Sequence, residues 1–274
     1  MITTEVMGGL GNQLFQIFNL ISYCITNKVQ FYFEATVPRR VDRPFYWNNF
    51  LKKLAPFIKP IIHVMEYREP AFHYIPIPTS WPFDKINIKF NGYFQSHLYF
   101  DNNKDIICRM IQFDKQQEEI KQKVVLDYDR TVSLHFRIGD YVHLPNHHPI
   151  LSLEYYEKAL ATLICNTDNL YWDILYICEE KDLELVTSNI VKLKEKWPSL
   201  NFIKIDNKLE DWEQMLVMTL CKHNIIANST FSWWGAYLNK GDNRVYYPSK
   251  WFGPGQGNKD TSNLCPNSWT KITI

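Results

Sequence analysis

The stretch of sequence that decides the fold spans residues 132–140 and reads VSLHFRIGD. Residues 132–138 are rich in β-branched, apolar and aromatic side chains, which predicts a buried strand. Gly139 and Asp140 follow as a turn, and Ser152 is a suitable N-cap for a helix over 153–165. A strand that leads through a turn into a helix is the repeating unit of a parallel α/β sheet.

The same alternation of short apolar runs and helical patterns continues along the second half of the chain. It predicts, in order, a strand over 174–178, a helix over 182–197, a strand over 202–205, a helix over 210–222, a strand over 225–227, a helix over 231–239 and a last strand over 245–247.

The first half of the chain shows the unit less regularly. The predicted elements are a strand over 2–6, a helix over 12–26, strands over 29–34 and 88–93, a helix over 103–125, and irregular structure with short helices over the proline-rich 36–86. A boundary near 126–130 gives two domains, 1–127 and 128–274. We therefore expect an α/β protein in which two Rossmann-like domains face a cleft, with ligands at the carboxyl ends of the strands.

The composition excludes several classes of protein. The 274 residues are 46% hydrophobic and 22% charged, as in globular proteins, and 30 basic side chains nearly balance 29 acidic ones. A net charge of +1 argues against a nucleic-acid binder. The six cysteines form no CxxC pair and are expected to be buried free thiols in a reducing compartment. The start of the chain does not resemble a signal peptide, and no apolar run is long enough to span a membrane, so we expect a cytoplasmic protein.

The predicted strand 132–138 carries the first group of candidate site residues. Alternation along a strand places His135, Arg137 and Gly139 on one face, with Arg137 near the carboxyl end. An arginine there can bind a phosphate through two parallel hydrogen bonds. Asp140 can act as a base, an ion-pair partner or a turn residue, and a purely structural Arg137–Asp140 ion pair is the alternative.

A glycine-rich turn near the start of the chain, GGLGNQ at residues 8–13, lies between a predicted strand and a helix. It does not match the dinucleotide motif GxGxxG, because Leu14 occupies the third glycine position. A tight turn alone would explain the glycines. The amides of Asn12 and Gln13 at the helix start indicate in addition a ligand that carries hydroxyl groups.

The third group follows the predicted strand 225–227. Asn228, Ser229 and Thr230 lead into a helix that also carries Ser232, an arrangement that presents hydroxyls and backbone N–H groups to an anion. Ordinary helix capping by Ser or Thr is the alternative. The Trp233-Trp234 pair is expected to pack inside the protein.

Together these stretches resemble the α-1,2-fucosyltransferases, glycosyltransferase family 11. The resemblance rests on residues 8–16, 135–142 and 228–239, which follow one another in the order of the family. Shorter matches lie at 92–96, 151–156 and 221–224, and at Pro248 and Trp251, so that the resemblance covers nearly the whole chain.

The resemblance implies a two-domain GT-B-like fold and an inverting, metal-independent transfer of L-fucose from GDP-L-fucose to the 2-hydroxyl of an acceptor sugar, usually a β-galactoside. It implies no cofactor, and its partners are the GDP-sugar donor and an oligosaccharide acceptor. Where members of the family often carry Ser-Asp-Asp, this chain has Cys178-Glu179-Glu180, which leaves the donor sugar open.

The resemblance also implies roles for single residues. Arg137 would hold the donor diphosphate, with His135 and Asp140 as further catalytic candidates and Asp140 as the first choice for the base. The other donor-binding candidates are Gly11, Asn12, Gln13, Glu179, Asn228, Ser229, Thr230 and Ser232. Among them, Glu179 would accept guanine N–H groups.

Three alternatives remain open at the level of sequence. A metal-dependent GT-A enzyme would use a pair such as Asp127 and Asp129 to hold a divalent ion. A sugar-binding protein without activity would use the many aromatic side chains, but it would leave Arg137 without a role. A third alternative is a transferase that uses another GDP-linked 6-deoxyhexose or another acceptor.

Overall fold

The computed structural model describes residues 1–37, 43–82 and 86–274. These divide into two compact units: unit 1 comprises residues 1–116 with 260–266, and unit 2 comprises 117–259 with 267–274. The assignment of acceptor and donor roles to 1–127 and 128–274 stays a prediction. The predicted irregular segment 36–86 includes 38–42 and 83–85, which lie outside the described residues.

Unit 1 contains short parallel strands and one long buried helix. Its elements are β1 (Ile2–Thr4), α1 (Leu10–Asn27), β2 (Phe33–Glu34), β3 (Ile58–Lys59), β4 (Met65–Arg68), β5 (Ile88–Asn91) and α2 (Lys104–Met110). One sheet has the order β1-β5-β4 and a second pairs β2 with β3, in each case in parallel. Helix α1 packs against β1, and its buried side chains include Leu14, Phe15 and Phe18, of which the two phenylalanine rings contact Phe100.

The prediction of a single helix over 103–125 is wrong. The segment forms α2 and then α3 (Phe113–Lys123), and Gln112 between them has a φ of +54°. A residue in the left-handed region ends a helix. The break allows both Ile111 and Phe113 to be fully buried, which a continuous helix with this polar pattern would not.

Unit 2 is built on a six-stranded parallel sheet. After α3 its elements are β6 (Thr131–His135), α4 (Leu153–Thr167), β7 (Asp173–Ile177), α5 (Leu183–Lys196), β8 (Asn201–Lys204), α6 (Asp211–Met218), β9 (His223–Ile225), α7 (Thr230–Tyr237), β10 (Val245–Pro248) and β11 (Thr270–Ile272). The strand order is β11-β10-β9-β6-β7-β8. This order places the topological switch point between β6 and β9, where doubly wound sheets bind their ligands.

The core of unit 2 explains why these segments fold as they do. Val132 and Leu134 of β6 pack with Ile174 of β7 and with Tyr155 and Leu160 of α4, all essentially without exposed surface. The expectation that Trp233 and Trp234 pack inside the protein is confirmed, since neither has exposed surface. Strand β7 reads Ile-Leu-Tyr-Ile after Asp173, a nearly continuous apolar run as expected for a strand buried on both faces, whereas β6 also buries the polar Thr131, Ser133 and His135.

Three further predictions are wrong, two about the strands of unit 2 and one about the cysteines of the chain. The strand over 245–247 is not the last one, because β11 pairs with β10 at the edge of the sheet, where Thr270 and Lys271 give little hydrophobic signal. Strand β6 ends at His135 rather than at residue 138. Cys165 on α4 is exposed, whereas the other five cysteines are buried, as expected.

Candidate active site

The candidate residues of unit 2 lie at the carboxyl ends of three neighbouring strands. Arg137 and Asp140 follow β6, Glu179 follows β7, and Asn228 and Ser229 follow β9. Since β6 pairs with both β7 and β9, the fold brings the three loops to one edge of the sheet, on both sides of the switch point.

Arg137 is the central charge of this edge. Its guanidinium forms ion pairs with the carboxylates of both Asp140 and Glu179, and its Cζ lies 4.8 Å from the ring centroid of Tyr141. Burial by itself would lower the pKa of Arg137, but Tyr141, Asp140 and Glu179 outweigh it and raise the pKa. The side chain is therefore a permanently charged cation with only 14% of its surface exposed.

Glu179 contacts two cations. Its Oε1 pairs with Arg137 and its Oε2 lies 2.8 Å from Nζ of Lys181. Burial would raise the pKa of Glu179, but Lys181 and Arg137 together lower it, so the carboxylate is ionised. An ionised carboxylate can only accept hydrogen bonds. That property fits a ligand with N–H or O–H groups and disfavours a phosphate beside Glu179.

Gly139 allows the loop after β6 to pass close to this ion pair. Its φ is +42°, and a Cβ atom there would lie 2.6 Å from Glu179 Oε1 and 3.1 Å from Arg137 Nη1. The backbone N–H of Gly139 donates to Asp182 Oδ2 at 2.8 Å, which fixes the loop to the segment after β7. Asp182 was not recognised from the sequence, because nothing in a lone Asp before a helix distinguishes it from a solvent-exposed one.

His135 lies inside the protein rather than at the surface of the site. Burial, with a smaller contribution from Arg137, lowers its pKa to about 3, so that the imidazole is neutral. Its ring contacts that of Phe231, and among the described residues its Nδ1 has no hydrogen-bond partner. A buried nitrogen without a partner is unusual. A neutral imidazole of such low pKa is suited to hold neighbouring groups in position and is a poor proton acceptor.

Asn228 joins two loops beneath the start of α7. Its Nδ2 donates to the backbone oxygens of Pro149 at 2.9 Å and Trp251 at 3.3 Å. Its Oδ1 is buried and has no partner among the described residues. The two carbonyls fix the orientation of the amide, so the buried atom without a partner is the oxygen and not the nitrogen. An amide oxygen accepts hydrogen bonds, and its missing partner is therefore a hydroxyl or an N–H group.

The start of α7 supplies backbone groups to the same edge. Ser229 is the N-cap residue, its side chain makes no capping hydrogen bond, and the described first turn, which begins with Thr230, contains no acidic residue. Ser232 is fully buried and its Oγ donates to the backbone oxygen of Ser229 at 3.3 Å. A helix start without an anionic cap is a favourable position for an anion.

The loop after β6 is held by an aromatic stack that the sequence did not indicate. The Tyr141 ring stacks on His148 at 4.7 Å, His148 contacts Phe252, and the Tyr141 hydroxyl donates to the backbone oxygen of Asn228 at 3.0 Å. Tyr141 therefore touches both Arg137 and the Asn228 loop. Its position four residues after Arg137, within the same motif, is the only signal that could have identified it.

The glycine-rich turn of unit 1 is stabilised by its own amides. Gly8 has a φ of +83°, and Gln13 Nε2 donates to the backbone oxygens of Gly8 at 2.9 Å and Pro44 at 2.8 Å. Gln13 is fully buried, and among the described residues its Oε1 has no partner. Asn12 Oδ1 accepts a hydrogen bond from Gln95 Nε2 at 3.0 Å, and Gly11 lies in the first turn of α1. The candidates Gly11, Asn12 and Gln13 belong to unit 1, whereas all the other candidate site residues belong to unit 2.

Two features of the described residues bear on the alternatives. Among residues 1–37, 43–82 and 86–274, no group of three His, Cys, Asp or Glu side chains is placed to hold a metal ion. Within the same ranges no helix has the length and hydropathy needed to cross a membrane. Asp127 and Asp129 flank the buried Tyr128 in a short 3-10 turn before β6.

Comparison with solved structures identifies the fold. The structure resembles ADP-heptose lipopolysaccharide heptosyltransferase II of Escherichia coli with a TM-score of 0.51 and 10% sequence identity, over 99% of this chain and 90% of that one. At this identity the likeness concerns the fold alone. It confirms the predicted GT-B-like α/β fold class.

Comparison with sequences identifies the family. The O-antigen biosynthesis glycosyltransferase WbnK of Escherichia coli is 29% identical, over 97% of this chain and 98% of the relative. An alpha-1,2-colitosyltransferase of Escherichia coli is 27% identical, over 69% of this chain and 63% of the relative. A galactoside 2-alpha-L-fucosyltransferase of Caenorhabditis elegans is 25% identical, over 90% of this chain and 71% of the relative. The sequence profile described as glycosyl transferase family 11 matches residues 1–269. The chain belongs to this family and is a glycosyltransferase.

Proposed function

We propose that the protein transfers L-fucose from GDP-L-fucose to the 2-hydroxyl of an acceptor sugar, with inversion at the anomeric carbon and without a metal ion. The observation that carries the proposal is the charged, largely buried Arg137 at the switch point of the sheet of unit 2, on the edge to which the start of α7 also belongs. A cation beside a helix start is suited to a diphosphate.

The proposed donor site assigns a chemical role to each group. Arg137 binds the diphosphate together with backbone N–H groups of the 229–232 segment. The Oδ1 of Asn228 accepts a hydrogen bond from a hydroxyl of the donor, because it is buried and lacks a donor partner among the described residues. Glu179 accepts from guanine N–H groups or from ribose hydroxyls, and for this it must give up its contact with Arg137.

Charge stabilisation is the central catalytic requirement of this reaction. As the bond to fucose breaks, negative charge develops on GDP, and in the proposed reaction Arg137 and the start of α7 stabilise it. The ion pair between Asp140 and Arg137 favours a role of Asp140 in orienting the guanidinium. The assignment of Asp140 as the base that accepts the proton of the acceptor hydroxyl stays a prediction.

A transfer assay with EDTA tests the proposal. GDP-L-fucose is incubated with a neutral methyl hexoside, beginning with methyl β-D-galactoside, and the product is analysed by NMR. We expect a new α-linked L-fucose on the 2-hydroxyl, because inversion of a β-linked donor gives an α-linkage. Formation of a β-linkage, or complete loss of transfer with EDTA, would contradict the proposed mechanism.

A second donor is favoured by one specific relative. The alpha-1,2-colitosyltransferase of Escherichia coli is 27% identical to this chain, and Cys178-Glu179-Glu180 departs from the usual fucosyltransferase sequence. GDP-colitose is therefore the alternative donor. Parallel assays with the two donors decide between them through the ratio of their kcat/KM values.

A further inference from the structure

Arg137 makes one contact that a bound diphosphate would leave in place. Its guanidinium pairs with the carboxylates of Asp140 and Glu179, whose side chains are 36% and 43% exposed. Phosphate and carboxylate oxygens compete for the same N–H groups of an arginine. The Cζ of Arg137 also lies over the ring of Tyr141, 4.8 Å from its centroid. This second kind of contact is an attraction between a cation and a ring face, so a diphosphate can bind without breaking it.

Tyr141 is itself held by two contacts. Its hydroxyl donates to the backbone oxygen of Asn228 at 3.0 Å. Its ring stacks on that of His148, with centroids 4.7 Å apart and planes inclined by 19°. Stacked aromatic rings attract each other beyond the effect of the area that they bury. Loss of the His148 ring would therefore allow the ring of Tyr141 to tilt relative to Arg137.

His148 is anchored by its backbone and by its ring. Its backbone N–H donates to the oxygen of Leu144 at 2.8 Å, and its ring lies 5.8 Å from that of Phe252. The backbone N–H of Gly253, which directly follows Phe252, donates to the oxygen of His147 at 2.9 Å. These contacts connect the segments on both sides of the His148 ring, so the ring is a fixed support for Tyr141.

The protonation state of His148 suits a purely aromatic role. Burial lowers the pKa of the imidazole below its usual value, although Asp140 opposes this shift. The charges of Lys259 and Arg137 act in the same direction as burial. The ring is therefore neutral at pH 7 and stacks on Tyr141 without placing a further charge near the guanidinium. A phenylalanine at this position can supply the same stacked surface.

We propose that His148 is a positioning residue for the donor reaction, which holds Arg137 through the ring of Tyr141 when a diphosphate takes the place of Glu179 at the guanidinium. The inference rests on the proposed function, because it concerns how the donor diphosphate is held. Without the stacked ring, the guanidinium would depend on Asp140 for its orientation. It would then offer its two parallel hydrogen bonds less often in the direction of the phosphates.

Four variants test the proposal. His148→Ala and the less disruptive His148→Leu remove the aromatic ring, whereas His148→Phe retains it. His143→Ala is the matched control, because His143 is an exposed histidine of the same loop, whereas His148 is half-buried. For each variant we would measure the affinity for GDP by calorimetry with EDTA, the KM and kcat for GDP-L-fucose, and Tm.

The ring should matter and the imidazole nitrogens should not. We expect His148→Ala and His148→Leu to raise the dissociation constant of GDP about three- to tenfold, and His148→Phe and His143→Ala to change it less than about twofold, because a stacked ring pair contributes in this range. A lower Tm of His148→Leu with unchanged GDP affinity would show a purely structural role and would overturn the proposal. Weak GDP binding in His148→Phe, equal to that in His148→Leu, would also overturn it.

A double-mutant cycle tests whether His148 acts through Arg137. In the wild-type background His148→Leu should lower kcat/KM for the donor about three- to tenfold, but in the Arg137→Ala background it should lower it less than about twofold, since a side chain that acts through another has no effect once that one is removed. Equal losses in the two backgrounds would show that His148 acts independently of Arg137 and would overturn the proposal.

A readout without a ligand separates this inference from the proposed function. The side-chain Nε–H signal of Arg137 in NMR, assigned by its absence in Arg137→Ala, is shifted by the nearby ring of Tyr141. We expect His148→Leu to move this signal and His143→Ala to leave it unchanged. If the wild-type protein does not bind GDP, the donor site of the proposed function fails. The NMR comparison then decides alone, since a moved signal supports the support of Arg137 by His148 and an unchanged signal overturns it.

Discussion

At the scale of single residues, the proposed donor site depends on how Arg137 is held between its two carboxylate partners, Asp140 and Glu179. In the structure its guanidinium contacts Asp140 and Glu179, and a bound diphosphate would take over part of these contacts. The residue type and its place after a strand identified Arg137 from the sequence. The second partner, Glu179, lies 42 positions away and is brought to Arg137 only by the pairing of β6 with β7.

Removal of the guanidinium should reduce catalysis strongly. Arg137→Ala is expected to lower kcat/KM by a factor of about 10²–10³, or about 2.7–4 kcal/mol, as for the loss of other groups that stabilise a developing charge. The measurement is steady-state transfer from GDP-L-fucose. Arg130→Ala is the control, because Arg130 pairs with Asp173 at the opposite end of β6 and should retain activity. Equal activities of the two variants would contradict the role of Arg137.

Asp140 can be assigned by separating binding from chemistry. If Asp140 orients Arg137, as its ion pair indicates, Asp140→Asn should weaken GDP binding about tenfold or more and lower kcat in parallel. If Asp140 is the base, kcat should collapse while GDP affinity persists. Calorimetry with GDP and turnover measurements on the same variant decide between the two roles.

At the scale of elements, the sequence predicted the strand–turn–helix units of unit 2 better than their ends. The apolar run of β7 is unambiguous, whereas β11 was missed because its polar residues form an edge strand. The break between α2 and α3 was missed because a positive φ at Gln112 leaves no trace in the hydrophobic pattern. The aromatic stack of Tyr141, His148 and Phe252 depends on two loops and could not be derived from either one alone.

The turn after β6 provides a test at this scale. Gly139→Ala places a Cβ 2.6 Å from Glu179 Oε1 at a φ of +42°, so it should destabilise the protein by at least roughly 1–2 kcal/mol and displace Arg137. Gly257→Ala is the matched control, since Gly257 also has a positive φ but no described atom within 4 Å of the added Cβ. We expect both variants to lose stability in urea denaturation and only Gly139→Ala to lose GDP binding. Normal GDP affinity in Gly139→Ala would show that the close approach is not required.

At the scale of the whole molecule, the buried histidines make stability depend on pH. Burial is the main reason why the pKa of His135 is lowered to about 3 and that of His223 to about 4. In an unfolded chain the pKa of a histidine is about 6.5. Below pH 6.5 the unfolded state therefore binds more protons than the folded state. The free energy of unfolding should fall by about 1.4 kcal/mol per pH unit for each histidine as the pH decreases toward 4.

This prediction is checked by urea denaturation at pH 7, 6 and 5, followed by tryptophan fluorescence. His223→Gln should reduce the slope, because glutamine retains an acceptor for the Arg244 backbone N–H but does not titrate in this range. A slope that is the same in this variant and in the wild type would show that His223 does not contribute.

The family and the fold class of the whole chain were predictable because three motifs occur in one order, and the sequence profile confirms the family over residues 1–269. The donor and acceptor were not predictable to the same degree. Glu179 comes from a different segment than Arg137, and the contact between the two side chains exists only in the folded unit.

We propose that unit 2 binds a guanosine diphosphate sugar through Arg137 without a metal ion. Calorimetric titration of the wild-type protein with GDP in the presence of EDTA, with UDP as the control nucleotide, tests it most directly. We expect binding of GDP in the micromolar range, no comparable binding of UDP, and loss of the GDP signal in Arg137→Ala but not in Arg130→Ala. Absence of GDP binding in the wild-type protein, or unchanged GDP affinity in Arg137→Ala, would contradict it.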